Sequence, residues 1–222
     1  MMMNLFSIFD PSTSINFSLN WISMLIIFLL FPFKFWLIPS RYQMFMNMIL
    51  NFILKESKIL INFSKSNLII FTSMFLFIIT NNFMGLFPYI FTASSHLSFC
   101  LSISLTLWIS MMMYSIFNYL NDLFSHLTPQ GTPKILMPFM VMIESISLMI
   151  RPLTLAIRLT ANMIAGHLLL SLLGSSGQFI NNFFIISIMI FSQLLLLILE
   201  LAVAMIQAYV FSILMTLYSS EV

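Results

Sequence analysis

Two apolar stretches of this chain, 135–173 and 179–217, are each too long for a simple crossing of the medium they must enter. At 1.5 Å per residue each would extend about 55–60 Å as one helix. The hydrocarbon core of a bilayer is only about 30 Å thick. Either each stretch breaks into two spans, or each is one steeply tilted helix. Two spans need a turn, and neither stretch contains a Gly-rich or charged connector. Pro152 is a strong breaker, but membrane helices tolerate proline as a kink. The sequence therefore predicts two long tilted helices forming a hairpin. They join through Gly174-Ser-Ser-Gly177, which has turn chemistry and no charge.

Composition supports that setting. Of 222 residues 61% are hydrophobic and 6% charged, against about 25% charged in soluble proteins. No soluble fold hides so much apolar surface. The long unbroken runs lack the alternation of an outer-membrane barrel, and helices satisfy their own backbone in lipid. The expected class is an all-α integral membrane protein, with five membrane helices plus one interfacial amphipathic helix in a single membrane domain, 1–222.

Residues 1–17 are polar enough to lie outside the membrane, with Pro11 and a Ser/Thr cluster breaking any early helix. The first span is 19–38, with Trp21 and Trp36 as interfacial belt residues and Lys34 able to snorkel. In 40–66, Gln43, Asn47, Asn51, Lys55, Lys58, Asn62 and Lys65 recur every three or four residues, opposite Met, Phe, Ile and Leu. Such a helix lies on the membrane surface. With Arg41 it holds four of the eight basic residues, so it faces the compartment of synthesis. A second span, 68–87, ends at Gly85-Leu-Phe-Pro88, and a third occupies 97–119. The connection between them reads as an outer loop with a solvated His96. Asn121–Lys134, with Asp122 and His126, reads as an inner loop.

Met1 to Asp10 has no basic residue, so neither a signal peptide nor a transit peptide is expected there, and insertion proceeds from the side of synthesis. Cys100 is alone, which excludes an intrachain disulfide and a Cys-rich metal site. The skew toward Phe, Met, Ile, Leu, Asn and Ser, with 5 glycines, resembles translation from an AT-rich genome such as a mitochondrial one. Six of the seven alanines fall after residue 155. Small side chains let membrane helices approach closely, so tight packing is expected in the C-terminal third.

The polar residues inside the two long stretches are patterned. Arg158 lies too far inside 135–173 to be an end anchor. A cation at a helix centre costs about 3 kcal/mol even on the lower scales, so it is a functional candidate by default. Glu144, Arg151 and Arg158 are spaced by seven and seven, and Asn162 follows by four, so all share one helix face. Gln193, Glu200 and Gln207 repeat the seven-residue interval on the last stretch. Two such hydrophilic lines through lipid depth describe a route for a small charged species. Glu200 fits a proton carrier, because a buried carboxylate is either protonated or paired. His167 lies about 180° from Arg158 on its wheel and faces a different space. It suits proton relay, with packing as the alternative. Arg151 is open between a structural pair with Glu144 and a role of its own. Gln193 is open between lining the route and bonding a neighbouring helix.

The run Ala156-Ile-Arg158-Leu-Thr-Ala-Asn162-Met-Ile-Ala-Gly-His167-Leu-Leu resembles the signature of subunit a of F-type ATP synthases, in the mitochondrial form. Glu200-Leu-Ala-Val-Ala-Met-Ile-Gln207-Ala-Tyr-Val resembles that family's last helix, and Glu144-Ser-Ile-Ser-Leu and Gly85-Leu-Phe-Pro88 also match. With the opening Asn4-Leu-Phe-Ser-Ile-Phe-Asp-Pro, the pattern is similar to the arthropod versions. The resemblance implies a stator beside a rotating ring of c subunits, each with a membrane carboxylate, which two aqueous half-channels reach from opposite sides. Arg158 matches the essential arginine facing that carboxylate. A guanidinium stays charged where a buried lysine can lose its proton. His167 and Glu200 match the proton-handling pair of the outer half-channel, Asn162 and Gln207 match polar residues near the arginine, and Glu144 matches the carboxylate of the inner, matrix-side half-channel. Arg151 departs from the pattern, since many relatives carry an uncharged residue there, often Gln.

The implied partners are c-ring proteolipids, peripheral-stalk and other membrane-sector subunits, lipid and the transported proton, with no nucleic acid. The implied location is the mitochondrial inner membrane, N-terminus toward the intermembrane space and C-terminus toward the matrix. No Gly-x-x-x-x-Gly-Lys-Ser/Thr occurs, so the chain is expected to bind no nucleotide. Three His at unsuitable spacings and no second Cys predict no metal cluster, and the expected subunit carries no cofactor and is no enzyme by itself. The competing reading is a secondary transporter, or an antiporter-like subunit of another respiratory complex. Transporters usually show repeated halves. Here no repeat is seen, and the membrane-depth ionisable residues crowd into one third of the chain.

Overall fold

The computed structural model of the protein describes residues 5–14, 17–30, 36–61, 65–128, 133, 135–177 and 182–221. Their regular structure is helical throughout. A 3-10 turn, Leu5–Phe9, precedes a 3-10 segment, Leu19–Leu25, that runs into α1, Ile26–Leu30. There follow α2, Arg41–Leu60; α3, Lys65–Gly85; a 3-10 turn, Ala93–Ser95; α4, Leu97–Asn118; α5, Leu120–Leu127; α6, Met137–Ser176; and α7, Phe183–Glu221. Among the described residues four helices, α3, α4, α6 and α7, are long and apolar enough to cross a membrane.

The core forms where α3 packs along α7, α4 along α6, and α6 along α7. Leu155, Ala156 and Leu159 of α6 and Ala204, Ala208, Phe211 and Met215 of α7 are buried there. Ala204 and Ala208 stand four apart, the spacing of small residues that brings membrane helices close. Buried hydroxyls along the seam satisfy themselves locally: Thr160 donates to the Ile157 carbonyl at 3.0 Å and Thr216 to that of Ile213 at 2.7 Å. The other late alanines, Ala161, Ala165 and Ala202, are exposed. Only part of the small-residue surface therefore serves packing within the chain.

Each long stretch is one continuous helix. Pro152 sits inside α6 and is fully buried, yet the helix passes through it. Gly174 departs from the expected turn. The helix runs past it to Ser176, with Ser175 and Ser176 donating to the Leu172 and Leu173 carbonyls at 2.9 Å. A backbone inside lipid gains by keeping its helical bonds.

Other boundaries also shift. The expected first span, 19–38, has a 3-10 beginning because its polar side chains bond elsewhere. The Asn20 amide donates to the Asp10 carbonyl at 3.3 Å, and the Ser23 hydroxyl to that of Phe91 at 3.1 Å. Lys34 lies outside the described residues. The amphipathic helix expected over 40–66 is α2 alone, opened by a capping box between Ser40 and Gln43. Lys65 belongs to α3, and Asn62 lies outside the described residues. Asn51, Lys55 and Lys58 are exposed, whereas Ile53 and Ser57 are buried. α2 packs on α3 and α7, and the Tyr209 hydroxyl donates to Glu56 Oε2 at 2.6 Å.

The connection between α3 and α4 is only partly a solvated loop: Phe87, Pro88 and Tyr89 are exposed, but its second half is not. Thr92, Ala93, Ser94 and Ser95 are buried against α6. Gly85 permits this, since a Cβ there would stand 2.9 Å from Thr92 Cγ2. His96 stacks on Phe91 at 5.2 Å and meets Trp21 at 5.1 Å, and its Nε2 is buried, so it is not the solvated loop residue its position suggested. Part of the expected inner loop is likewise a helix, α5.

Candidate functional site

The two polar stripes occupy different environments. That of α7 lies in its seam with α6. Gln207 and Glu200 are 6% and 8% exposed, and Gln193 is half-buried. Each has a counterpart on α6. The Asn162 amide donates to Gln207 Oε1 at 3.0 Å. Glu200 lies over Gly166, where a Cβ would stand 2.9 Å from both Cδ and Oε1 of the carboxyl group. The Gln193 amide nitrogen would be 3.9 Å from a Cβ at Gly174. Gly166 thus leaves space for the Glu200 carboxyl group, whereas a side chain at Gly174 would meet Gln193 only at ordinary van der Waals distance.

The α6 stripe does not keep one environment. Seven residues fall about 20° short of two turns, so a line of three drifts by about 40°. Glu144 and Arg151 face a cavity of ≈ 350 Å³ bounded by α4, α5, α6 and the end of α7. Their charged ends are 4.0 Å apart, and the Arg151 guanidinium lies over the Tyr218 ring at 4.9 Å. Pro152 has no N–H to offer the Leu148 carbonyl, and Leu148 lines this cavity. Arg158 sits farther along, on the exposed face with Ala161 and Ala165, and makes no hydrogen bond or ion pair among the described residues.

His167 is half-buried one residue beyond the glycine that Glu200 covers. Its Nε2 and both Glu200 oxygens are buried without a hydrogen-bond partner among the described residues. Phe9 meets the imidazole edge-on at 6.4 Å, so the N-terminal turn covers this histidine. The structure brings His167 and Glu200 to one level of the bundle without joining them. Arg158 is nine residues away along α6, a rise of about 13 Å.

Two residues of note escape the sequence patterns. Gly166 had one signal, a glycine in a helix interior beside the candidate histidine. Asn82 is fully buried with both ends of its amide unpartnered, and lines a small chamber of ≈ 10 Å³ with Asn81, Ser94, Cys100 and Leu159. That is about the space of one water. Asn82 had no signal beyond a polar pair near the end of an apolar run. Among the described residues no group of three or more His, Cys, Asp or Glu is placed to hold a metal ion.

The Asn162–Gln207 bond makes a measurable prediction. Asn162→Leu leaves a buried amide oxygen without its donor, which costs about 1–3 kcal/mol. The thermal inactivation midpoint of the solubilised protein is expected to fall by a few degrees. No change would mean that the bond is solvated.

Known proteins resemble this chain over nearly its whole length. The family model described as ATP synthase A chain matches residues 17–220, which include every polar position named on α6 and α7. The chain is 56% identical to ATP synthase subunit a of Anopheles quadrimaculatus, with 100% of both chains covered. It is 56% identical to that of Drosophila melanogaster and 53% to that of Aedes aegypti, again over 100% of each chain. A match over nearly the whole length, at that identity, shows that the chain belongs to the ATP synthase A chain family.

Proposed function

We propose that this chain is the proton-channel stator subunit of the membrane sector of an F-type ATP synthase, in the mitochondrial inner membrane. The observation that carries the reading is Arg158. It is a cation on the exposed face of a membrane helix, with no partner in its own chain among the described residues. Exposed Ala161 and Ala165 near it on α6 allow close approach by another helix. A carboxylate of the c-ring supplies the missing counter-charge. The ring carboxylate passes Arg158, exchanging protons with an outer path at His167 and Glu200 and with an inner path at Glu144.

Arg158 keeps the two paths apart, because its fixed charge repels a proton crossing directly. Asn162 and Gln207 join α6 to α7 beside it and hold its helix in register. Gln193 is a packing residue in this scheme, and Arg151 is neutralised by Glu144. Each proton crossing 100 mV releases about 2.3 kcal/mol, which rotation of the ring gathers. The chain itself performs no nucleotide chemistry, which belongs to partner subunits beyond the c-ring and the peripheral stalk. α2 lies at the matrix surface, α6 and α7 are tilted, the N-terminus faces the intermembrane space and the C-terminus the matrix. The Lys and Arg residues of α2 support that orientation.

The test is a native gel of mildly solubilised source membranes stained for ATP hydrolysis, with mass spectrometry of the active band. The chain is expected in that band beside a small two-helix proteolipid. Migration with a complex lacking ATPase activity would return the polar stripes to a transporter pathway.

A further inference from the structure

The cavity beside Glu144 and Arg151 has a second set of ionisable walls. Asp122 and His126 line it from α5. They stand four residues apart, so they share one face of that short helix. Both are exposed, whereas Glu144 and Arg151 are half-buried. The ionisable groups are therefore graded, two at the rim on α5 and two farther in on α6. The remaining wall is apolar apart from Ser115 and Tyr218.

We propose that Asp122 and His126 form the proton-exchanging mouth of the inner half-channel, passing protons between bulk buffer and Glu144. The proposal rests on the proton-channel reading given above. Such a mouth must gather protons faster than free diffusion supplies them. With a collision ceiling of about 10¹⁰ M⁻¹s⁻¹, free protons at pH 8 reach a single bare group only about 100 times per second. Exchange with buffer, which is far more abundant than free protons, removes that limit. An imidazole suits the exchange because its type titrates near neutrality.

Charge favours the same role. Among the described cavity groups Asp122 and Glu144 are negative and Arg151 is positive, a balance of −1 with a neutral histidine. Arg151 alone would repel a proton, but Glu144 at 4.0 Å offsets it and its guanidinium is engaged by the Tyr218 ring. Asp122 supplies the surplus negative charge at the rim. In the inward direction the imidazolium N–H releases its proton across the cavity to a Glu144 oxygen, and the neutral imidazole takes the next proton from buffer. Nothing is oxidised or reduced.

The bland account of Asp122 and His126 is a solvated helix face, and buffer dependence separates the two. Inside-out inner-membrane vesicles carrying the intact complex expose this surface to the medium, and ATP-driven proton pumping is read there. In dilute buffer the Asp122→Asn/His126→Gln double variant is expected to pump roughly tenfold more slowly, the lower end of what local charge focusing gives. Concentrated imidazole should restore the rate. Pumping at the wild-type rate in dilute buffer overturns the proposal. So does a loss that imidazole leaves untouched, because buffer does not repair packing. Glu144→Gln is measured alongside. Unaltered pumping by that variant in every buffer overturns the inner half-channel assignment itself, whatever α5 does.

Discussion

Arg158→Lys is expected to abolish coupled proton flow, with ATP-driven pumping down by more than about a hundredfold, a loss of at least roughly 3 kcal/mol. The substitution keeps a basic group on the exposed face of α6, so the effect comes from what kind of base it is. A guanidinium is always charged and spreads that charge over a planar fork, whereas an ammonium is a point charge that can release its proton in apolar surroundings. A lysine here would itself become a proton carrier between the two paths. Arg151→Gln should behave quite differently, keeping pumping within about fivefold of wild type. Its pair with Glu144 is 4.0 Å long between side chains 26% and 42% exposed, and such a partly solvated pair contributes about 1 kcal/mol at most. The pair of variants is read in the same vesicles, with ATP hydrolysis as the control for assembly. Comparable losses from both would show that the essential arginine is misassigned.

The amino-acid sequence marks some of these features and hides others. Arg158, Glu200 and the two long helices were legible because a charge in hydrocarbon is expensive and an apolar run of such length has few other uses. The faces of those helices were not. In water an apolar face marks the core, but in a membrane lipid and core are equally apolar. Leu155 is buried and Leu153 exposed two residues away, with nothing in their chemistry to separate them. Alanines failed in the same way, since Ala156, Ala204 and Ala208 pack inside while Ala161, Ala165 and Ala202 do not. Heptad spacing placed Glu144 and Arg158 on one face, yet accumulated drift delivers them to different surroundings. The connection holding Ser94, Ser95 and His96 was misread for the opposite reason. Its polar residues look solvated, and only their burial against α6 shows otherwise.

Gly166→Ala is expected to slow proton pumping by roughly ten- to a hundredfold while leaving the complex assembled, because misplacing a reacting group by about 1 Å is enough for losses of that size. The added methyl would stand 2.9 Å from Cδ and Oε1 of Glu200 and 3.2 Å from its Cγ. The obstacle is the end of a flexible side chain, so the backbone seam between α6 and α7 need not open. The carboxyl group moves instead, away from the level of His167. Stability should change little, since alanine is the better helix former by about 1 kcal/mol. Glu200→Asp in the same background withdraws the carboxyl group by one methylene and relieves the contact. Taken alone, Glu200→Asp should also slow pumping, by placing the carboxyl group short of its path. The two substitutions together should then be less damaging than the sum of their separate effects, a coupling that a double-mutant cycle on pumping rates measures. Strict additivity would mean that Gly166 serves helix packing alone and that the position of Glu200 is set elsewhere.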